Sequence, residues 1–207
     1  LDIPAAFEKT FYYLSDEEKD FLDLFVERHG IASGEQVVAV APGGGESTKR
    51  AMLTKRWPAQ NYIELIQRLQ RERSSRVILV GGPGDREITN RIIQLSPDCL
   101  DATDLSFGDM ASVLRRCNLF IGNDSAPHHI AAAMGIPCIG IFGPTDPRQW
   151  APLNQNSSVV IKPVECHPCF IDETFPKCSH IRCLTSVTVD VVWQQLELTL
   201  PHEKNVI

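Results

Sequence analysis

The sequence is short of several things, and each shortage removes a class of function. No apolar run is long enough to cross a bilayer, and the first residues lack the basic-then-apolar pattern of a secretory signal, so a soluble chain is expected. Lys and Arg number 20 against 26 Asp and Glu, a net charge of −6, and no basic cluster reverses that balance, which argues against a nucleic-acid partner. Neither the Walker spacing nor a Gly-x-Gly-x-x-Gly is present, nor any internal repeat or low-complexity tract. The chain opens Leu1-Asp2-Ile3-Pro4 with no initiator Met and is expected to be a piece of something longer.

What is present is enough for one large domain: 207 residues, 43% of them hydrophobic, build a substantial core. Short apolar runs alternate with amphipathic stretches. Val37–Ala41, Val77–Val80, Leu119–Gly122 and Cys138–Phe142 read as buried strands, with weaker ones at Leu100–Ala102 and Val159–Ile161. Helices are predicted over Asp16–His29 (Ser15 cap, Gly30 stop), from Pro58 to about Glu72, up to Leu95, from Ser106 to about Cys117, and over Val189–Leu198 with Thr188 as cap. Strands alternating with helices imply an α/β fold: a Rossmann-like parallel sheet with helices on both faces.

Polar residues gather where strands end. Asn123-Asp124-Ser125 follows one strand and opens an Ala-rich helix with His128 and His129; Thr145-Asp146 follows the next strand. Such turns are where open α/β sheets bind ligands and where free backbone N–H groups favour anions. Asp124 there is either a helix cap or a ligand-binding group. Pro42-Gly43-Gly44-Gly45-Glu46-Ser47-Thr48 after the first strand is either a phosphate-facing loop or a surface loop. Lys55-Arg56 ahead of a helix amino end is electrostatically misplaced unless an anion lies nearby. Asp85 or Glu87, in a glycine-rich turn after the second strand, suits ribose hydroxyls or simply the helix dipole. The longest loop is expected from Gly143 to Asn156.

Cysteine is distributed unevenly. Cys99, Cys117 and Cys138 lie singly in or beside apolar elements and read as core thiols, whereas Cys166, Cys169, Cys178 and Cys183 are crowded in a C-x2-C-x8-C-x4-C pattern with His167 and His180 nearby. That spacing is able to bind structural Zn²⁺; free or packed thiols are the alternative, and disulfides do not suit a reducing compartment.

The run Gly-Asn-Asp-Ser-Ala-Pro-His-His-Ile-Ala-Ala-Ala-Met-Gly-Ile-Pro at 122–137, followed by Phe-Gly-Pro-Thr-Asp-Pro at 142–147, closely resembles the carboxyl-terminal signature of the ADP-heptose:lipopolysaccharide heptosyltransferases, glycosyltransferase family nine. Lys-Arg-Trp-Pro after a Pro-Gly loop belongs to the same resemblance, which runs from about residue 15 to 200. It implies one half of a GT-B glycosyltransferase. Residues 1–207 are then a single donor-binding domain, with 1–14 as linker from a missing amino-terminal acceptor domain and 162–186 as a cysteine-rich segment.

The resemblance further implies inverting, metal-independent heptose transfer from ADP-heptose to a lipopolysaccharide core acceptor. The catalytic base would lie in the missing domain and no cofactor would be required. It implies donor binding by Thr54, Lys55, Asp85, Glu87, Leu105, Asp124, Ser125, Ala126 and His129: Lys55 on the diphosphate or ribose, an acidic residue of the 85–87 turn on the nucleoside, Leu105 beside the adenine. It places the enzyme in the cytoplasm, at the cytoplasmic face of the inner membrane, with peripheral membrane contact by the whole protein. A non-catalytic nucleotide-sugar-binding module and a GT-B-like sugar-nucleotide epimerase are the competing readings. Leu105 is explained equally well as core packing.

Overall fold

A computed structural model describes residues 9–47, 50–170 and 178–200. Helix α1 (Asp16–Arg28) begins at Ser15, whose hydroxyl accepts the Glu18 N–H while the Glu18 carboxylate accepts the Ser15 N–H, and it ends at His29 before Gly30 at φ 59°. Strand β1 (Val37–Ala41) follows, then a small antiparallel hairpin of β2 (Glu46–Ser47) and β3 (Arg50–Ala51), a 3-10 turn at Leu53–Lys55, and α2 (Ala59–Arg73). The chain continues β4 (Arg76–Gly81), a second 3-10 turn at Pro83–Asp85, α3 (Arg86–Leu95), β5 (Leu100–Thr103), α4 (Phe107–Arg115), β6 (Leu119–Asn123), α5 (Ala126–Ala133) and β7 (Cys138–Phe142). The short α6 (Pro147–Trp150), β8 (Ser157–Ile161), the short α7 (Arg182–Thr185) and α8 (Val189–Thr199) complete it.

Six strands form one parallel sheet in the order β5-β4-β1-β6-β7-β8. Alternate side chains fill two cores. Val38, Val40, Leu79, Ile121 and Ile141 pack under α2, α3 and α8, whereas Ala39, Ile78, Val80 and Phe120 pack under α1, α4 and α5. With helices on both faces the central strands have no exposed residue, which is why β1, β7 and β6 up to its final Asn123 are continuous apolar runs rather than alternating ones. The order reverses between β1 and β6, and that switch point opens a crevice at the carboxyl ends of those two strands.

The expected α/β parallel sheet is therefore the observed one. The stretch predicted as a single long loop from Gly143 to Asn156 instead contains α6, because Asp146 caps it with a hydrogen bond from the Arg148 N–H and Pro147 supplies its first position. Cys99, Cys117 and Cys138 are buried as expected, the last two directing their thiols to the carbonyls of Val113 and Ile136.

Candidate functional site

The site is built on Asn123, the last residue of β6. Its side chain is fully buried: Nδ2 donates to the carbonyls of Pro42 (3.0 Å) and Gly43 (2.8 Å), and Oδ1 accepts the Trp57 N–H (3.0 Å). One amide thus ties the loop after β1 to the segment carrying Lys55 and Arg56. Trp57 is itself immobilised, its Nε1 donating to the Val187 carbonyl at 2.8 Å and its ring meeting Tyr62 edge-on at 4.9 Å.

The next residue, Asp124, is buried, and its Oδ2 takes two partners, the Lys55 ammonium at 2.8 Å and the Thr145 hydroxyl at 2.7 Å. The Lys55 and Asp124 side chains are only 11% and 4% exposed, so the pair is held away from bulk water and its geometry is set by the protein. Asp124 does not cap α5. Ser125 occupies that position, yet its hydroxyl turns back to the Asn123 carbonyl at 3.3 Å, so the amino end of α5 carries no side-chain cap. An uncapped helix start with a lysine ammonium close by is a favourable place for an anion.

Arg56 reaches the other way. Its guanidinium donates to the Gly84 carbonyl (3.0 Å) and to Asp85 Oδ1 (2.9 Å), and Asp85 Oδ2 accepts the Gly82 N–H. A Cβ on Gly43 would lie 2.2 Å from the Asp85 carboxyl carbon, so only glycine lets this loop approach the carboxylate. The two cations that are misplaced on sequence grounds therefore both find anions within the chain, Asp124 for Lys55 and Asp85 for Arg56. Their presence ahead of a helix is not by itself a sign of an anionic ligand.

Beside these pairs lies a cleft of about 290 Å³, walled by Gly45, Gly81–Asp85, Leu105, Phe107, Met110 and Ser125–Pro127. Its walls combine glycine backbone, Asp85 and Ser125 with apolar side chains, among them Phe107, 58% exposed. A second, apolar groove of about 350 Å³ shares Phe107 and Ala126 with it and adds Phe11, Tyr12, His129, Ile130 and Ala133. Such a cleft suits a ligand with a flat apolar part and a hydrogen-bonding, anionic part.

Residues 2–180 match the family described as glycosyltransferase family 9 (heptosyltransferase). The chain belongs to glycosyltransferase family 9. It is 27% identical over 174 residues to lipooligosaccharide heptosyltransferase 2 of Campylobacter jejuni, covering 81% of this chain and 52% of that protein. It is 34% identical over 128 residues to lipopolysaccharide heptosyltransferase 3 of Escherichia coli, covering 59% of this chain and 36% of that protein. Among solved structures, the family 9 glycosyltransferase of Veillonella parvula superposes with a TM-score of 0.77 at 22% identity, covering 93% of this chain and 54% of that one. ADP-heptose lps heptosyltransferase II of E. coli gives 0.74, also at 22%, covering 96% and 56%. The fold is thus that of the family, and the chain spans about half the length of the curated relatives it matches.

The residues singled out from the family 9 signature fall in five places. Asp85, Leu105, Ser125 and Ala126 line the glycine-walled cleft. Lys55 and Asp124 form the buried pair. His129, exposed on α5, lines the neighbouring apolar groove, and Thr54 lines a separate small void with the cysteines. Glu87, exposed in the first turn of α3, is not among the residues lining the cleft. Thr48 and the side chains of residues 46–51 lie outside what is described. Phe107 and Met110 line the cleft without having been singled out. Phe107 was legible only as the residue after a helix cap; that its ring stands exposed on the cleft wall is visible only in the structure.

Cys166, Cys169, Cys178 and Cys183 are all free thiols. Burial, and next the neighbouring thiols, push Cys169 and Cys183 above the ordinary thiol range. Among the described residues, no group of three or more His, Cys, Asp or Glu side chains is already arranged as a metal cage.

Proposed function

We propose that this chain is the donor-binding half of an inverting heptosyltransferase that takes ADP-heptose and glycosylates a lipopolysaccharide core acceptor. The observation that carries the proposal is the Lys55 ammonium, fixed on Asp124 and indirectly on Thr145, beside the uncapped start of α5 and a cleft walled by both glycine backbone and apolar side chains. A nucleoside diphosphate matches that arrangement part by part. The adenine lies against Leu105, Phe107 and Met110, the ribose faces the Asp85 turn, and the diphosphate meets Lys55 and the amino end of α5. Support also comes from relatives: the E. coli heptosyltransferase WaaC has been solved with ADP and with ADP-2-deoxy-2-fluoro heptose, at TM-scores of 0.60 and 0.58 to this chain.

In the proposed reaction the acceptor hydroxyl, deprotonated by a base in the half of the enzyme outside this chain, forms a bond to the anomeric carbon as the bond to the β-phosphate oxygen breaks. ADP leaves carrying the additional negative charge. Lys55 and the helix start hold that charge, so they act on the transition state more than on the ground state. No cofactor is needed when protein groups stabilise the leaving diphosphate. The acceptor places the reaction at the cytoplasmic face of the inner membrane; among the described residues no helix is long and apolar enough to cross it.

The test is calorimetric titration of the 207-residue chain with ADP, ADP-heptose, UDP and GDP. ADP and ADP-heptose should bind and the other two should bind weakly or not at all. No heptose should be transferred, because the acceptor half is needed to orient the attacking hydroxyl. Equal affinity for all three nucleoside diphosphates would refute adenine recognition by this cleft, and transfer by the chain alone would refute the placement of the base.

A further inference from the structure

We infer, on the donor-binding reading above, that Thr145 is a positioning residue for the diphosphate: its hydroxyl fixes the Asp124 carboxylate and through it aims the Lys55 ammonium at the leaving group. Thr145 is buried, and its hydroxyl lies 2.7 Å from Asp124 Oδ2. The Lys55 ammonium meets that same oxygen at 2.8 Å, so one carboxylate oxygen carries both partners. A carboxylate paired with a lysine only accepts hydrogen bonds, which makes the Thr145 hydroxyl the donor.

Lysine alone cannot hold that carboxylate in one orientation. Its ammonium rides on a flexible four-carbon stem, and the terminal torsion of an aspartate is broad, so the ion pair by itself leaves the position of the charge loosely set. Threonine is the opposite, β-branched and stiff at χ1. Here its backbone is also held on both sides. Before it, the Gly143 carbonyl meets His167 Nδ1 at 2.8 Å, and the Pro144 carbonyl accepts the Cys169 and Phe170 N–H groups at 2.9 and 3.1 Å. A Cβ on Gly143 would lie 2.6 Å from Leu184 Cγ, so bare backbone seats this turn on α7. After it, Asp146 caps α6 through the Arg148 N–H at 2.9 Å. The hydroxyl therefore projects from a turn whose place is set from outside the site. That matters when the ligand arrives. Lys55 has three N–H groups, and one on Asp124 leaves two for a diphosphate. As the ammonium leans toward the ligand, Thr145 keeps the buried carboxylate hydrogen-bonded, and the shift costs less than stranding a buried charge would. The ammonium is thus aimed before charge develops on the departing ADP.

The experiment is calorimetric titration of the 207-residue chain and of its Thr145→Val variant, similar in shape but without the hydroxyl, with ADP and with adenosine, which keeps the base and ribose and lacks the diphosphate. Thr145→Val should bind ADP about threefold to tenfold more weakly, the range of one ordinary hydrogen bond, and should bind adenosine as the unmodified chain does. Thr145→Ser, which keeps the hydroxyl, should recover most of the lost affinity. In an Asp124→Asn background the Thr145→Val change should have little further effect on ADP, because the hydroxyl acts through the carboxylate. Should Thr145→Val fail to fold, Thr145→Ala carries the same comparison. Unchanged ADP affinity in Thr145→Val would overturn the inference, and so would equal losses for ADP and adenosine, the mark of a merely structural role. An unmodified chain that does not bind ADP refutes the donor-binding reading and takes this inference with it, whereas ADP binding that is indifferent to Thr145 removes this inference alone.

Discussion

The crevice at the ends of β1 and β6 and the cysteine segment after β8 are held in place by opposite means. At the crevice every key polar group meets a partner fixed by the sheet register: Asn123 meets Pro42, Gly43 and Trp57, and Asp124 meets Lys55 and Thr145. Between β8 and α7 no strand or helix among the described residues sets the geometry of the cysteine segment, and bonds from the Cys169 and Phe170 N–H groups to Pro144 and from the His167 ring to Gly143 dock it. The difference teaches that strand ends are pre-organised by the core beneath them, whereas a segment outside the sheet is positioned by local bonds to the turn after β7. Breaking the first should damage folding and binding together; breaking the second should not reach the sheet.

The largest effect is expected from Asn123→Leu. It strands one buried N–H and two carbonyls, and at about 1–3 kcal/mol for each unsatisfied group the loss of stability should reach about 3–5 kcal/mol, read by urea unfolding. Next comes Asp124→Ala, which leaves the Lys55 ammonium unpaired in a nearly closed site and should cost about 2–4 kcal/mol; adding Lys55→Met should recover part of that loss. Recovery would show that the penalty lies in the orphaned charge rather than in lost packing.

His128 offers a test in which pH is the variable. Its ring is fully buried, lies flat against Phe120 with centroids 5.6 Å apart, has neither nitrogen hydrogen-bonded, and burial lowers its pKa from 6.5 to about 3. A Cβ on Gly140 would lie 2.3 Å from its ring, so the imidazole fits against bare backbone. Because the folded protein holds the neutral form, its contribution is complete above pH 6.5 and is lost as pH falls toward 3. At pH 5 the unfolded chain's extra proton should cost the fold about 2 kcal/mol. His128→Met should flatten the pH dependence of stability over that window, and an unchanged slope would show that other groups carry it. The smallest effect is expected from Glu87→Gln, which should change ADP affinity by no more than about 0.5 kcal/mol, whereas Asp85→Asn should weaken it by about 1–2 kcal/mol through loss of the Arg56 anchor.

How much of this was legible in the sequence follows from how local each signal is. Val-Val-Ala-Val-Ala and Cys-Ile-Gly-Ile-Phe announce buried strands because doubly covered parallel strands have no polar face to show. The caps at Ser15, Ser106 and Thr188 are written within four residues and were all readable. Helices α6 and α7 are four residues each, too short to display a period, and the Ile181 conformation that starts α7 has no signature at all. At the candidate site, residues could be named from the sequence, but their partners within the chain could not. Asp124 was legible as a cap or a ligand-binding group; it does not cap α5, and its pairing with Lys55 was not readable, because only the β1–β6 pairing brings the two loops together. Asn123 and Thr145 were readable as polar neighbours and turn out to be the groups that fix loop positions.

The central claim is that Asp124 acts by holding Lys55 where a diphosphate is bound, and titration of Asp124→Asn with ADP and with ADP-heptose tests it most directly. If the claim holds, both ligands weaken together and by similar factors, on the order of the tenfold to hundredfold expected for losing a well-formed charged hydrogen bond, and Lys55→Ala reproduces the pattern. ADP binding left intact while ADP-heptose binding falls would instead place Asp124 on the sugar and contradict the account.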